Sequence, residues 1–468
     1  MTEHSMSIAP TARVQEYTDR FRRFLDEDVR PLEEELAKHN VGTAGQPKLD
    51  SEGRMHPIVW EARREVQRRA GALNLYAPHI SAELGGGGFN RVEMHHVEEF
   101  VYRHSGLGLG LAALAWTEGP NPASEHMSEA MRERYLTPLI KGQITAAFAN
   151  TEPNVGTDVL GMETWAKQDG SDWIINGRKA WITNSHFADV YQVVAVTEPG
   201  AGTRSLTMFL VDADAPGLER GPDLPTMMDD GLTGELEFRD VRVPAENIVR
   251  EVGDGFALAM SWINWRRLCR GGMCSGWGQW LITRAISRSQ ERKSGGRPIG
   301  DLQSIQHLIA RMALEFYQAR STSLVAQAEL DQWGAFEIPL HKEAPRLISL
   351  LKIINDEAFY RLADSAIQVH GANGLLRGSP EEKLFRVPAT CGSPPAPPKC
   401  SSTPSPVAYS AKQQCHDHHD APPDRVFPWR RMRLQTPTVD ARRRSHHDAT
   451  GRSSPVGRVR IADRTRHP

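Results

Sequence analysis

The segment Phe148-Ala149-Asn150-Thr151-Glu152-Pro153-Asn154-Val155-Gly156-Thr157-Asp158 is a short apolar run that ends in a polar, turn-rich loop. Thr151 and Thr157 supply hydroxyls, and Gly156 lets a ligand approach the backbone N–H groups closely. A planar, partly apolar cofactor with a phosphate tail wants such an arrangement, a few placed hydrogen bonds beside apolar surface. Taken alone, the loop reads as a turn. It gains weight from the run Asn176-Gly177-Arg178-Lys179-Ala180-Trp181-Ile182-Thr183-Asn184, where Trp181 offers an indole to lie against a ring system. Thr183 adds a hydroxyl two residues later on the same strand face.

Other chemistry-bearing residues lead less far. Cys415-His416-Asp417-His418-His419-Asp420 has metal-binding types without the paired-cysteine spacing of a closed tetrahedral site, so no metal is expected. Trp429-Arg430-Arg431 and Arg442-Arg443-Arg444 could touch phosphates only as any basic tail can. With Lys+Arg 56 against Asp+Glu 58, the whole chain gives no reason to expect nucleic acid or an anionic membrane as partner. Five cysteines are too few and too clustered for a disulfide framework in 468 residues. Neither a secretory signal nor an apolar run of about 18 residues is found, so the expected location is cytoplasmic, with no membrane span.

The elements that must position the two motifs follow from periodicity. Val14, Tyr17, Phe21 and Phe24 recur at helical spacing, and similar patterns run over Val59 to Arg69 and Val92 to Tyr102. Gly85 to Gly88, between two of these, reads as a flexible interhelical turn. From about Ile144 to Pro244 the chain has short Val-, Ile-, Phe- and Trp-rich runs broken by Gly, Asn, Asp and Pro, which predict an antiparallel β domain with Asn176-Gly177 as a tight hairpin turn. Helical spacing then returns in Leu302, Ile305, Ile309, Met312, Phe316 and Ala319, and again in Leu347, Leu351, Ile354, Ala358 and Leu362. With a helix from about Phe256 to Ser289, these make most of a four-helix bundle. The predicted fold is thus α+β, with an N-terminal helical domain (residues 1–143), a β domain (144–253), an incomplete C-terminal bundle (254–386) and a disordered tail (387–468).

This order, together with TEPNVGTD, NGRKAWITN, ELEFRDVRVP, ERKSGGRPIGDLQ and QVHGANG, resembles the flavin-dependent acyl-CoA dehydrogenases from about Tyr17 to Arg386. The resemblance implies FAD as cofactor, its ring and ribityl chain meeting Phe148, Asn150 and Thr151 and its pyrophosphate near Gly156 and Thr157. It implies Trp181 and Thr183 on the other side of the flavin, and Arg292, Gln303, Gln368 and Gly371 completing the site from an adjacent subunit. Asn264 and Arg267 fall where the family contacts CoA or orders the pocket. An acyl-CoA substrate, electron-transfer flavoprotein as acceptor, a role in fatty acid β-oxidation and a homo-oligomer or mixed assembly are implied with them. Gly295 stands where the family usually has Phe, which removes one apolar contact to the neighbouring flavin.

The implied reaction removes a proton beside the thioester and passes a hydride from the next carbon to flavin, so a carboxylate must serve as base. The family keeps its Glu either in the first helix of the final bundle or just before a Gly-Thr near the C-terminus. Between Asp254 and Glu291 there is no Asp or Glu, and the relevant turn reads Trp262-Ile263-Asn264-Trp265-Arg266-Arg267. The catalytic residue is therefore unassigned. Beyond EKLFR the chain breaks every fold pattern, and the codons that Thr390 to Ala408 permit in the shifted frame allow Leu-Arg-Ile-x-x-Gly-Thr-Ser-Glu-Val-Gln followed by Leu-Asp-Thr-Ile-Ala-Arg-Arg. The tail is accordingly expected to be a reading-frame shift that removes the last bundle helix and lowers flavin occupancy. In that frame the residue before Gly-Thr is Ala, Ser, Thr or Pro and never Glu. Resequencing the coding DNA across Arg386 to Ala408 should reveal an inserted or missing base, and an unaltered reading would count against an error in the recorded sequence. The alternatives to a dehydrogenase are a base-less flavoprotein subunit and another flavin-dependent oxidase of the same fold.

Overall fold

The computed structural model describes residues 8–390, apart from 42–47, 52, 116–117, 229, 335 and 337–340. The Cys415 to Asp420 cluster, the two basic tail segments and nearly all of the frame-shifted tail lie outside the described residues.

The N-terminal part is built from helices α1 (Ala12–Phe24), α2 (Arg30–Lys38), α3 (Pro57–Ala72) and α4 (Arg91–Ser105). Helix α1 starts where Thr11 accepts a hydrogen bond from the Val14 N–H, and it buries Val14, Tyr17, Phe21 and Phe24, the periodic stripe of the sequence. Asn90 and Glu93 form a capping box at the start of α4. The glycine run before α4 is packed rather than flexible, because a side chain at Gly86 or Gly87 would strike the backbone of Ile80 or Pro78.

The β part comprises β1 (Ala146–Ala149), β2 (Trp165–Asp169), β3 (Asp172–Thr183), β4 (Val190–Val196), β5 (Leu206–Asp212), β6 (Leu218–Asp223) and β7 (Thr233–Pro244). They lie in the order β1-β4-β2-β3-β7-β6, with β5 on β4. Most pairs are antiparallel, whereas β1 and β2 each run parallel to β4. Asn176-Gly177 is not the hairpin turn its type predicts. Strand β3 runs through it with a register shift against β7, and the turn to β2 falls between Asp169 and Asp172. Gly177 is needed there because its φ is +143° and a Cβ would meet Thr164 Oγ1 at 2.5 Å.

Helices α5 (Gly255–Glu291), α6 (Gln303–Trp333), α7 (Ala344–His370) and α8 (Pro380–Thr390) form the C-terminal bundle. In α6 the stripe buries Met312 and Ala319, but Leu302 is exposed and Ile305 and Ile309 are half-buried, so the seam is closed only in its later turns. The expected disorder from residue 387 gives way to helix as far as Thr390, because Val387 is fully buried in the shared helical core. One continuous core joins both helical regions, with Phe21, Val97, Trp277, Leu281 and Phe359 among its members.

The buried guanidinium of Arg270 on α5 pairs with Asp356 on α7, which also meets Lys352 Nζ at 3.4 Å. Asp356→Ala would remove the carboxylate that pairs with Arg270, a side chain only 2% exposed. Urea denaturation should then show a loss of about 3–5 kcal/mol.

Candidate functional site

Strands β1 and β3 bring the two sequence motifs together. The Ala180 N–H donates to the Thr151 carbonyl at 2.9 Å, and the Asn184 side-chain amide donates to the Ala146 carbonyl at 3.0 Å. Beneath this junction Lys179, with no exposed surface, donates to the Asn150 carbonyl at 3.1 Å and to Glu152 Oε1 at 2.8 Å. Glu152 in turn accepts the backbone N–H groups of Glu163 at 2.6 Å and Thr164 at 2.9 Å. Burial alone would raise the Glu152 pKa, but the Lys179 ammonium and these hydrogen bonds hold it below the usual carboxylate range. Burial pulls Lys179 down to about 8, and Glu152 opposes that shift, so the pair is ionised at neutral pH.

On the ledge this pair supports, Trp181 is 58% exposed and holds a φ of +61°, a conformation that costs a bulky residue energy. Asn150 is buried with its Oδ1 unpartnered. Thr151 and Thr183 are half-buried, while Gly156 and Thr157 are exposed in the following turn. A Cβ at Gly156 would point into open space. The ring of Phe148 stacks on Trp262 of α5, with centroids 4.3 Å apart and planes at 18°. One turn along the helix, Trp265 stacks on His79 at 4.8 Å.

Phe148, Asn150, Thr151, Gly156, Thr157, Trp181 and Thr183 thus share one neighbourhood. Arg292, Gln303, Gln368 and Gly371 do not join it. Arg292 caps the C-terminus of α5, Gln303 opens α6, Gln368 lies in the last turn of α7 and Gly371 ends it, all exposed. From Trp262 to Arg292 is 30 residues of helix, or about 45 Å at 1.5 Å per residue. Within one chain the two sets are too far apart to touch one small molecule. Asn264 is fully buried with both amide atoms unpartnered, and Arg267 turns towards α7, its Nη1 lying 3.4 Å from Ser349 Oγ.

The Lys179–Glu152 pair, the tryptophans at 262 and 265 and the carboxylate of Glu98 were not singled out by sequence reasoning. Two tryptophans three apart on a helix are a readable signal of a shared face. The ion pair has a weaker one, a Glu and a Lys inside the two motifs, and Glu98 has none.

His79 donates its Nε2–H to the Pro120 carbonyl at 2.9 Å, and burial pushes its pKa down to about 4. Burial also holds His95 well below its ordinary value. Both rings are neutral in the folded chain. As pH falls below the ordinary value of 6.5, the unfolded chain takes up protons that the folded one refuses. Stability should therefore fall between pH 6.5 and about 4, His79 contributing up to about 3 kcal/mol. Denaturation midpoints measured across that range check this, and His79→Phe should flatten the slope.

Three family models match the chain in succession: acyl-CoA dehydrogenase, N-terminal domain, at residues 11–143, the middle domain at 147–241 and the C-terminal domain at 253–388. Cyclohex-1-ene-1-carbonyl-CoA dehydrogenase of Syntrophus aciditrophicus (strain SB) is 33% identical over 319 residues, covering 67% of this chain and 74% of its own. Caffeyl-CoA reductase-Etf complex subunit CarC of Acetobacterium woodii is 29% identical over 76% of this chain and 91% of its own. The solved structure of a putative acyl-CoA dehydrogenase from Mycobacterium abscessus aligns with a TM-score of 0.70 at 26% identity, covering 86% of this chain and 100% of the other. Among the described residues, no helix is long and apolar enough to cross a membrane.

Proposed function

The chain belongs to the acyl-CoA dehydrogenase family, and from that premise we propose that it holds FAD on the Phe148–Trp181 ledge and dehydrogenates an acyl-CoA thioester between its α and β carbons. The observation that carries this reading is the hydrogen-bonded junction of the two motifs, which leaves an unpartnered Asn150 Oδ1, an exposed indole and the open space beside Gly156 facing one neighbourhood. These features fit the flavin. Bound FAD supplies the hydride acceptor.

Phe148, Asn150 and Thr151 orient the ring and ribityl chain, Trp181 and Thr183 cover the opposite side, and Gly156 and Thr157 receive the pyrophosphate. Arg292, Gln303, Gln368 and Gly371 of a second copy complete the site, a role the 45 Å estimate above supports. Arg292 brings the charge that a pyrophosphate needs. Asn264 and Arg267 order the α5 wall of the pocket. Electrons leave to an electron-transfer flavoprotein, an acceptor in keeping with the Etf-complex relative. The setting is cytoplasmic fatty acid β-oxidation by a homo-oligomer.

The α-proton needs a carboxylate, and α5 offers none between Asp254 and Glu291. That observation favours a second reading, a flavoprotein subunit that lacks its own base. Anaerobic titration of the FAD-loaded chain with acyl-CoA separates them. Bleaching of the flavin band supports dehydrogenation, and a retained yellow flavin that never bleaches supports the base-less subunit.

A further inference from the structure

Between α4 and α5 lies a cavity of about 20 Å³ lined by His79, Met94, Glu98, Leu114, Trp265 and Cys269, among others. Its size admits one water or one hydroxyl group. Glu98 and Trp265 are each 2% exposed, and the Oε2 of the first and the Nε1–H of the second have no hydrogen-bond partner. Glu98 Oε1 is occupied by Arg91, whose Nη2 is 3.6 Å away, and the thiol of Cys269 also bonds to the carboxylate. Burial pushes that thiol up to about 12, so it stays a proton donor. The lining therefore includes one unused acceptor, Glu98 Oε2, and one unused donor, the Trp265 indole N–H, beside the guanidinium-bearing Arg266.

We infer that this chamber receives a hydroxyl group on the acyl chain, so that the substrate class is a hydroxyacyl-CoA rather than a plain saturated one. The inference rests on the flavin and acyl-CoA reading given above. Trp265 is three residues beyond Trp262, which stacks on Phe148 at the flavin ledge, or about 4.5 Å further along α5. An acyl chain that starts at the flavin and runs along α5 passes Trp262 first and reaches the chamber next. Met94 and Leu114 give its methylenes an apolar wall. A hydroxyl can donate to Glu98 Oε2 while accepting from the Trp265 indole N–H. An unsubstituted chain would bury both polar atoms unpaired, which costs free energy at each. A carboxylate-tipped chain would set two carboxylates beside Arg266, the one cation lining the chamber among the described residues, in a desolvated space.

Calorimetric titration of the FAD-loaded protein tests this with ω-hydroxyacyl-CoA thioesters from butanoyl to octanoyl, against the unsubstituted and ω-carboxylated members of equal length. At the length that reaches the chamber, the hydroxylated thioester should bind about tenfold or more tighter than the unsubstituted one. Trp265→Phe and Glu98→Leu should each bring that ratio close to one, whereas Glu98→Gln, which keeps a hydrogen-bonding oxygen, should retain part of it. A ratio near one in the unaltered protein at every length would overturn the inference and leave a site for water only. Tightest binding of the ω-carboxylated series would overturn it in favour of an anion site. Failure of the wider reading looks different: no acyl-CoA of any kind bleaches the flavin, whatever the binding ratio.

Discussion

Two variants that each fail to hold FAD should hold it when mixed. Trp181→Ala removes the indole from the ledge, and Arg292→Ala removes the cation at the far end of α5, so each variant alone spoils every site. In a mixed pair, the Arg292→Ala chain still presents Trp181 and the Trp181→Ala chain still presents Arg292, so one of the two sites is whole. Random remixing after mild dissociation should therefore restore about a quarter of the reconstituted flavin, and isolated mixed dimers about half. The measurement is flavin absorbance per protein after gel filtration in excess FAD. No recovery on mixing would mean that each site is built within one chain, against the geometry of a helix that separates the two residue sets by about 45 Å.

The second large effect is expected at Lys179→Met. The substitution leaves Glu152 as an unpaired carboxylate in a site where it is only 3% exposed. Losing one member of such a pair costs about 3–5 kcal/mol, which calorimetric or urea unfolding would read directly. It should also cost flavin, because the same ammonium holds the Asn150 carbonyl and so the ledge on which Phe148, Asn150 and Thr151 sit. Replacing both partners with Met and Leu should recover much of the stability but not the flavin. Full flavin retention in the double variant would show that the pair supports the fold alone. Acid acts on the same contact. The folded-state pKa of Glu152 is depressed, so its stabilisation is complete above the ordinary value of 4.5 and is lost as pH falls through the lower, folded value. Flavin release on acidification should therefore track protonation below pH 4.5 in the unaltered protein, and the double variant's unfolding should lack that acid-dependent loss.

The order helical, β, helical was legible because it rests on local rules. Spacings of three and four at Tyr17, Phe21 and Phe24 can only be satisfied by a buried helical stripe, and alternating branched and aromatic residues in short punctuated runs leave little but strands. Local rules failed where a distant contact decided the outcome. Asn176-Gly177 has the chemistry of a turn, yet the close approach of Thr164 makes it a bulge inside a long strand. Helix α8 runs past its expected end at Arg386 because the shared core has a place for Val387.

The sequence by itself determined the two motifs, with their hydroxyls, indole and glycines at fixed offsets, and through their resemblance to the acyl-CoA dehydrogenases it implied a flavin there. It also determined that no carboxylate stands between Asp254 and Glu291. Only the tertiary structure decided which of those residues meet. It joined Thr151 to Ala180, set Lys179 beneath both, and kept Arg292 and Gln303 at the opposite end of a 37-residue helix. It also brought Glu98 and Trp265 to the two sides of one small cavity, although they lie on different helices far apart in the chain. The reason is physical: hydrogen bonds and ring stacks act over a few ångströms, and which residues come that close is set by how whole helices and strands bury their apolar faces, not by their separation along the chain.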